Sequence, residues 1–375
     1  MEAAERREPV RQHEIDRYYM RIALSQAMRG ELATPNPRVG CVIVNSSGIV
    51  ATAYHAQCGQ DHAEAAALKK AKDRARGSTA YVTLEPCSHY GRTPPCAPRL
   101  VEAGVKRVVT GTGDPDPRVR GRGVDILLKG GVEVTEGILE DECRWINRGF
   151  IRRQKAKRPW VILKSAVTLD GKIALLSGES RWITGYTARK MAHLLRGSTD
   201  AVMVGAGTCR TDDPKLTLRE AEGRESLKIV IDPSLSIPFN ASIYLEGRGI
   251  IIASAGKSKM ISGTDGASNF RIEEIKPEPG GHLAPEDILA TLGSLGINSV
   301  LVEGGAKVTS DLLKKGLVDE VSLFVSPSIV GKGLSFTEYL ETAFMKEKIR
   351  LKNVRISSVG KDFLIEGIPE CSLDL

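Results

Sequence analysis

A regular alternation most narrows what this chain can fold into. Short apolar runs of strand length are interleaved with helix-patterned segments, in two series separated by a basic run and a proline. In the first half, residues 39–44, 49–54, 80–84, 105–110 and 132–135 have the length and composition of strands. Between them, residues 14–32 place Tyr18, Ile22, Ala23 and Met28 at helical spacing, with Gly30 at the end. His62 opens a second helix, residues 98–103 form a third, another precedes residue 132, and residues 140–154 read as one long final helix. Strands separated by helices predict an α/β sheet with parallel strands rather than a sandwich or a helical bundle.

The second half restarts the pattern without repeating the first. Strands are expected at 160–167, 200–204, 228–231, 249–253, 299–302 and 320–325, and helices at 188–196, 285–295 and 308–315. Residues 222–225, 256–266 and 276–281 read as loops. A length of 375 residues accommodates two domains at ~100–200 residues each. The expected organisation is a disordered leader over 1–13, a first domain over 14–150, a solvated basic connector over 151–158 and a second domain over 159–375.

Composition excludes several classes. No uncharged apolar stretch reaches the ~18–20 residues of a membrane span, so no membrane association is expected. The first 17 residues mix acids and bases with no apolar core, unlike a secretory signal. Seven cysteines, an odd number spread along the chain, suit a reducing, cytoplasmic compartment. The net charge of +7 comes with only 5% aromatics and no interleaved basic-aromatic run. That charge suits phosphorylated small molecules as well as it suits nucleic acid, and its size alone does not choose between them, although no nucleic-acid partner is expected from the sequence as a whole.

The sharpest chemical signal is His62-Ala63-Glu64, followed by Pro86-Cys87 and then Cys96. One imidazole and two thiolates are the donors of a catalytic zinc site, which keeps a fourth position open for water. Glu64, two residues beyond the histidine, is placed to carry protons without ligating metal, as in zinc nucleobase deaminases. The spacing between the two cysteines is eight residues where that signature has two. A closed structural zinc would instead need a fourth ligand from His89 or Cys58. Taken singly, His55 and His89 read as ordinary surface or core histidines.

The stretch from Thr83 through Glu85-Pro86-Cys87-Ser88-His89-Tyr90-Gly91-Arg92-Thr93-Pro94-Pro95-Cys96 closely resembles the bifunctional riboflavin-biosynthesis deaminase/reductase family. The long inter-cysteine loop is that family's own variant. Pro35-Asn36-Pro37-Arg38-Val39-Gly40-Cys41 and Asp114-Pro115-Asp116-Pro117 are similar to the same family. So, in the second half, are Leu169-Asp170-Gly171-Lys172, the segment from Gly178 to Gly185, Asp212-Asp213-Pro214, Leu216-Thr217-Leu218-Arg219 and Val302-Glu303-Gly304-Gly305.

For the first half the resemblance implies a cytidine-deaminase-like fold acting on 2,5-diamino-6-ribosylamino-4(3H)-pyrimidinone 5′-phosphate. Zinc would be held by His62, Cys87 and Cys96, with Glu64 catalytic and Asn36, His55, His89 and Arg92 holding substrate. The chain departs from the family at Ala51-Thr52-Ala53, Cys58 and Asp61.

Unaided, the second half is less decisive. Strand ends at Gly205-Ala206-Gly207-Thr208 and Glu303-Gly304-Gly305 lead into helices, which suits a phosphate but is also common in tight turns. No G-x-G-x-x-G follows a strand, so a Rossmann site is not expected. The resemblance implies a dihydrofolate-reductase-like domain using NADPH. Ala166, Trp182, Thr208, Asp212 and the run Gly305, Ala306, Lys307, Val308, Thr309, Ser310 and Asp311 would contact NADPH. Ser180, Arg196, Leu216, Arg219 and Glu303 would contact substrate. Pro233 stands where the family often has a small hydroxyl residue, which implies one fewer hydrogen bond to NADPH. Lys164 and Asp170 are either neighbours of hydride transfer or solvated strand-end charges. The expected partners are a small pyrimidine ribosyl phosphate and, in a homo-oligomer, further copies of the chain. The competing readings are a deaminase with a non-catalytic second half and an RNA-binding zinc protein.

Overall fold

A computed structural model of the chain describes residues 7–90, 94–116, 120–219, 223–257 and 269–372. Contacts divide the chain into two compact units, the first ending at Ala156 and the second beginning at Lys157.

In the first unit, β1 (Gly40–Asn45), β2 (Gly48–Tyr54), β3 (Thr79–Leu84), β4 (Arg107–Thr112) and β5 (Glu133–Thr135) form one sheet in the order β2-β1-β3-β4-β5. β1 runs antiparallel to β2 and β3, whereas β3, β4 and β5 are parallel. Alternate residues serve opposite faces, and both faces are buried. Cys41, Ile43, Ala80 and Val82 pack against the alanine-rich helix Ala63–Ala71 and against Leu100 of the helix Cys96–Glu102. Val42, Val44 and Tyr81 meet Met20, Ala23 and Leu24 of the helix Arg7–Met28 on the other side. That helix lies so close to β1 that a Cβ on Gly40 would sit 1.9 Å from the Ala23 carbonyl oxygen.

Three expectations need correction here. Residues 7–13, expected in a disordered leader, belong to the helix Arg7–Met28. A polar anchor invisible in apolar periodicity helps hold it. Buried Asp16 accepts hydrogen bonds from Gln12, from the Tyr81 hydroxyl at 2.9 Å and from both terminal nitrogens of Arg107. The expected single helix over 140–154 is two, Glu140–Ile146 and Arg148–Ala156, broken at Asn147. The basic run is not a solvated connector. Arg152 lies in the second of those helices and is 3% exposed, and Arg158 is buried against Asp319 at the start of the second unit.

The second unit contains a nine-stranded sheet in the order β11-β10-β9-β8-β12-β6-β13-β16-β15. The strands are β6 (Trp160–Thr168), β8 (Ala201–Gly205), β9 (Leu227–Ile231), β10 (Gly249–Ser254), β11 (Phe270–Ile275), β12 (Ser299–Val302), β13 (Glu320–Ser326), β15 (Leu351–Val359) and β16 (Asp362–Pro369). Seven are parallel, and the β15–β16 hairpin adds an antiparallel edge. A separate ribbon pairs β7 (Lys172–Leu175) with β14 (Gly333–Ser335). From β8 the chain steps outward through β9, β10 and β11, then returns to insert β12 between β8 and β6. The C-terminal ends of β8 and β12 therefore flank the point where strand order reverses, and there a crevice opens.

Candidate active sites

Two helix starts and one strand end build the first site. His62 caps the N-terminus of the helix Ala63–Ala71, Cys96 is the first residue of the helix Cys96–Glu102, and Cys87 follows β3. The Nδ1 of His62 lies 3.5 Å from the Cys87 Sγ and 3.6 Å from the Cys96 Sγ. All three donor atoms fall within 4.8 Å of one another. Zinc–nitrogen and zinc–sulfur bonds at a tetrahedral angle separate their donors by about 3.6 Å, so the trio fits zinc as it stands. Among the described residues neither His89 nor Cys58 joins this group, so the donor set is the open, three-ligand kind.

The charge state is arranged to match. Contact with Cys96 outweighs burial and holds the Cys87 thiol down to about 4, and His62 and the Cys96 backbone N–H, 3.3 Å from its sulfur, add to it. The same contact pushes the Cys96 thiol up. Glu64, one residue into the helix and 3% exposed, is pushed up to about 7, chiefly by burial and then by Cys87.

Two of the expected substrate residues are joined next to this trio. The His55 Nδ1–H donates to the Asp61 carbonyl at 3.0 Å, which leaves Nε2 to accept from the Asn36 side-chain amide at 3.1 Å. Burial pulls the His55 pKa down, and its ring stands 5.3 Å from that of His62. His89 is half-buried, and its Nδ1 has no hydrogen-bond partner among the described residues. Arg92 lies outside the described residues.

Sequence reading missed two supports of this site. Asn147, at the helix break, accepts from the Arg38 N–H at 2.8 Å and donates to the Arg38 carbonyl at 2.9 Å. Arg153 donates to the Pro35 carbonyl at 2.8 Å, so the loop carrying Asn36 is clamped on both sides. Glu85, 4% exposed, accepts N–H groups from Asp114, Gly121, Gly123 and Val124, and thereby fixes the chain just before Cys87. A Cβ on Gly123 would sit 2.0 Å from the Pro86 carbonyl oxygen, so only glycine fits there. An acid beside Pro-Cys was the one visible hint of Glu85, whereas nothing local marked Asn147.

In the second unit the expected residues fall around two cavities and one buried cluster. A cavity of about 320 Å³ lies at the strand-order reversal, lined by Gly205, Gly207, Thr208, Gly305 and Val308, with Pro233 on its wall. Of the run 305–311, Gly305, Lys307, Val308 and Asp311 line it. Ala306, Thr309 and Ser310 are buried, and the Ser310 hydroxyl accepts the Tyr339 N–H. Helical periodicity makes it impossible for all seven side chains to face one ligand.

A cavity of about 150 Å³ is lined by Ser180, Trp182 and Lys172. Ala166 and Asp212 line neither cavity. The Asp212 carbonyl accepts from Arg181 at 2.9 Å, which ties the Trp182 segment to the end of the helix Ala206–Asp212.

Glu303, just past β12, accepts from the Arg196 Nε at 2.9 Å and its Nη2 at 3.0 Å, while Lys164 Nζ stands 3.8 Å away. Burial works to raise the Glu303 pKa, but Arg196 and Lys164 outweigh it and hold the carboxylate at about 2. Arg196 gives its remaining terminal nitrogen to the Thr217 carbonyl, so its fork is engaged within the protein. Arg219, by contrast, is exposed. Leu216 is buried with φ +51, a left-handed backbone that its surroundings must hold. Asp170 accepts the Thr168 hydroxyl and the Gly331 N–H and staples two turns together.

A family model for the cytidine and deoxycytidylate deaminase zinc-binding region matches residues 13–112, and one for the RibD C-terminal domain matches residues 159–365. The riboflavin biosynthesis protein RibD of Aquifex aeolicus is 38% identical over 94% of this chain and 98% of its own length. The chain belongs to the RibD family. Solved members of the RibD family share the fold. Acinetobacter baumannii RibD, form 2, is 35% identical with a TM-score of 0.85, covering 96% of this chain and 99% of that one. The diaminohydroxyphosphoribosylaminopyrimidine deaminase/5-amino-6-(5-phosphoribosylamino)uracil reductase of Thermotoga maritima is 37% identical with a TM-score of 0.81, over 96% and 99% of the two chains.

With both halves matched, this RibD-family chain is a bifunctional deaminase/reductase of riboflavin biosynthesis, and a non-catalytic second half is not favoured. Its departures from the family leave the first site's geometry in place. The Asp61 carboxylate pairs with Lys69 on the helix Ala63–Ala71, while its backbone carbonyl orients His55. Ala51 and Ala53 pack into the core.

Proposed function

We propose that the first unit hydrolytically removes the 2-amino group of 2,5-diamino-6-ribosylamino-4(3H)-pyrimidinone 5′-phosphate. The second unit then reduces the ribosyl side chain with NADPH to give 5-amino-6-ribitylaminouracil 5′-phosphate. The single observation that carries the first step is the open trio His62, Cys87 and Cys96 with Glu64 buried at its side.

His62 Nδ1 and the two thiolates would hold zinc, which when bound polarises water and lowers its pKa. Glu64 takes a proton from the attacking water and delivers it to the departing ammonia, so water is consumed and one ammonia leaves per ring. Asn36 and the neutral His55 hold the ring, with His89 Nδ1 available as a further contact.

In the second unit, NADPH when bound supplies a hydride, and the glycines closing β8 and β12 let backbone approach its phosphates. Exposed Arg219 offers its fork to the substrate phosphate. Arg196 positions Glu303, and Lys164 stands over the same cluster as a charged donor. The absence of disulfides among the seven cysteines supports a cytoplasmic setting, and the exposed Val354, Ile356 and Phe363 of the β15–β16 hairpin support a homo-oligomer. No helix among the described residues is long and apolar enough to cross a membrane.

Glu64→Gln should cut ammonia release by roughly 10²–10⁴-fold while bound zinc stays at one per chain and NADPH oxidation with the deaminated intermediate continues. Chelation should abolish the first activity and spare the second. Survival of deamination in either preparation would remove zinc and Glu64 from the mechanism.

A further inference from the structure

Two connections run side by side from the main sheet of the second unit to the β7–β14 ribbon. Ser326, ending β13, lies opposite Thr168, ending β6, and the two chains pair again where Ser335 of β14 meets Lys172 of β7. Between those points the ladder is interrupted. Residues 169–171 form a tight turn, whereas residues 327–332 form a longer loop. Residues 327–332 are all exposed, so no buried side chain anchors that loop.

Its anchors come from the turn. The Leu169 N–H donates to the Ser328 carbonyl at 2.7 Å, and Asp170 accepts the Gly331 N–H at 2.8 Å and the Val330 N–H at 3.4 Å. The same carboxylate accepts the Thr168 hydroxyl at 2.6 Å, a length typical of a charge-assisted bond. That hydroxyl oxygen in turn accepts the Lys172 N–H at 3.0 Å. The Thr168 hydroxyl, aided by the two loop N–H groups, holds the Asp170 carboxyl below the usual carboxylate range.

The consequence lies in the smaller cavity. Thr168 and Lys172 of the turn and Ser328 and Val330 of the loop line it together with Ser180 and Trp182. Asp170 itself lines neither cavity. One carboxylate beside the cavity therefore sets the relative position of walls that come from residues about 160 apart in the chain. Without it, an exposed loop would have to be ordered by each ligand that binds, at an entropic cost.

We propose that Asp170 is a positioning residue for the second reaction, locking the 327–332 loop to the 168–172 turn so that the smaller cavity is shaped before substrate arrives. This rests on the reading of that cavity, through Ser180, as part of the substrate site.

Steady-state kinetics of the full-length, zinc-loaded protein test it, with the deaminated intermediate and NADPH varied in turn. Asp170→Ala should raise the KM for the intermediate at least about tenfold, while kcat and the KM for NADPH stay within about threefold. Asp170→Asn keeps one carbonyl acceptor and should recover part of the loss. Thr168→Val should add little to Asp170→Ala, because the two residues act through one bond. Ammonia release in the first reaction should be unchanged.

An unchanged KM for the intermediate in Asp170→Ala, or a rise confined to NADPH, would overturn the proposal. A fall in kcat at unchanged KM would also overturn it, by placing Asp170 at the reacting atoms. Should Asp170→Ala fail to fold, Asp170→Asn decides by the same shift in KM. An unchanged KM for the intermediate in Ser180→Ala would instead remove the reading of the cavity, whatever Asp170 does.

Discussion

Glu303 shows how one carboxylate can be structural and functional at once. Its ordinary pKa of 4.5 is held down to about 2 because Arg196 and Lys164 outweigh the effect of burial. A carboxyl depressed on folding contributes stability that is fully present above about 4.5 and is lost as pH falls through about 2. Denaturant unfolding of the protein and of Glu303→Gln should therefore differ most above pH 4.5 and converge toward pH 2. A constant difference across that range would mean the ion pair does not set the carboxylate's state. The trio His62, Cys87 and Cys96, whose donor atoms the fold brings together, was legible in the sequence, because a His-x-Glu with two later cysteines has few other uses in that order. The engagement of Arg196 was not. A fork committed to Glu303 and one free for a phosphate look the same in one dimension.

At the scale of elements, the break at Asn147 supports the loop that carries Asn36. The carboxamide clamps both backbone groups of Arg38, and Arg38 follows the loop that presents Asn36 to His55. Asn147→Ala should raise the KM for deamination roughly tenfold by loosening that loop while zinc content and NADPH binding stay unchanged. Loss of zinc in this variant would mean that Asn147 supports the metal ligands instead. Periodicity placed the helical segment but gave no sign of the break, since both halves continue a plausible helical pattern. The strands β7, β11, β14 and β15 escaped notice for a related reason. They are short or lie at exposed edges, as β15 does with six consecutive exposed residues, so no apolar alternation marks them.

The whole molecule places its division at Ala156 and Lys157, two residues before the expected start of the second domain. Arg158 belongs to the second unit's core. It pairs with Asp319, which is 0% exposed and also accepts the Val161 N–H and the Ser372 hydroxyl. A fragment starting at Pro159 would strand that carboxylate. It should be less stable than one starting at Lys157 by about 3 kcal/mol, the scale of breaking a buried pair, as denaturant unfolding of the two would show. Equal stabilities would return Arg158 to the role of connector. By itself, the sequence determined two α/β units, the trio His62, Cys87 and Cys96 that the fold brings together, and the glycine-closed strand ends, because short-range spacing and backbone sterics are written locally. Only the tertiary structure decided which of residues 305–311 line the cavity, which side chains Arg196 is committed to and where a leader becomes helix. Those outcomes depend on partners as distant in the chain as Asp319 is from Arg158, and no local pattern encodes such a pairing.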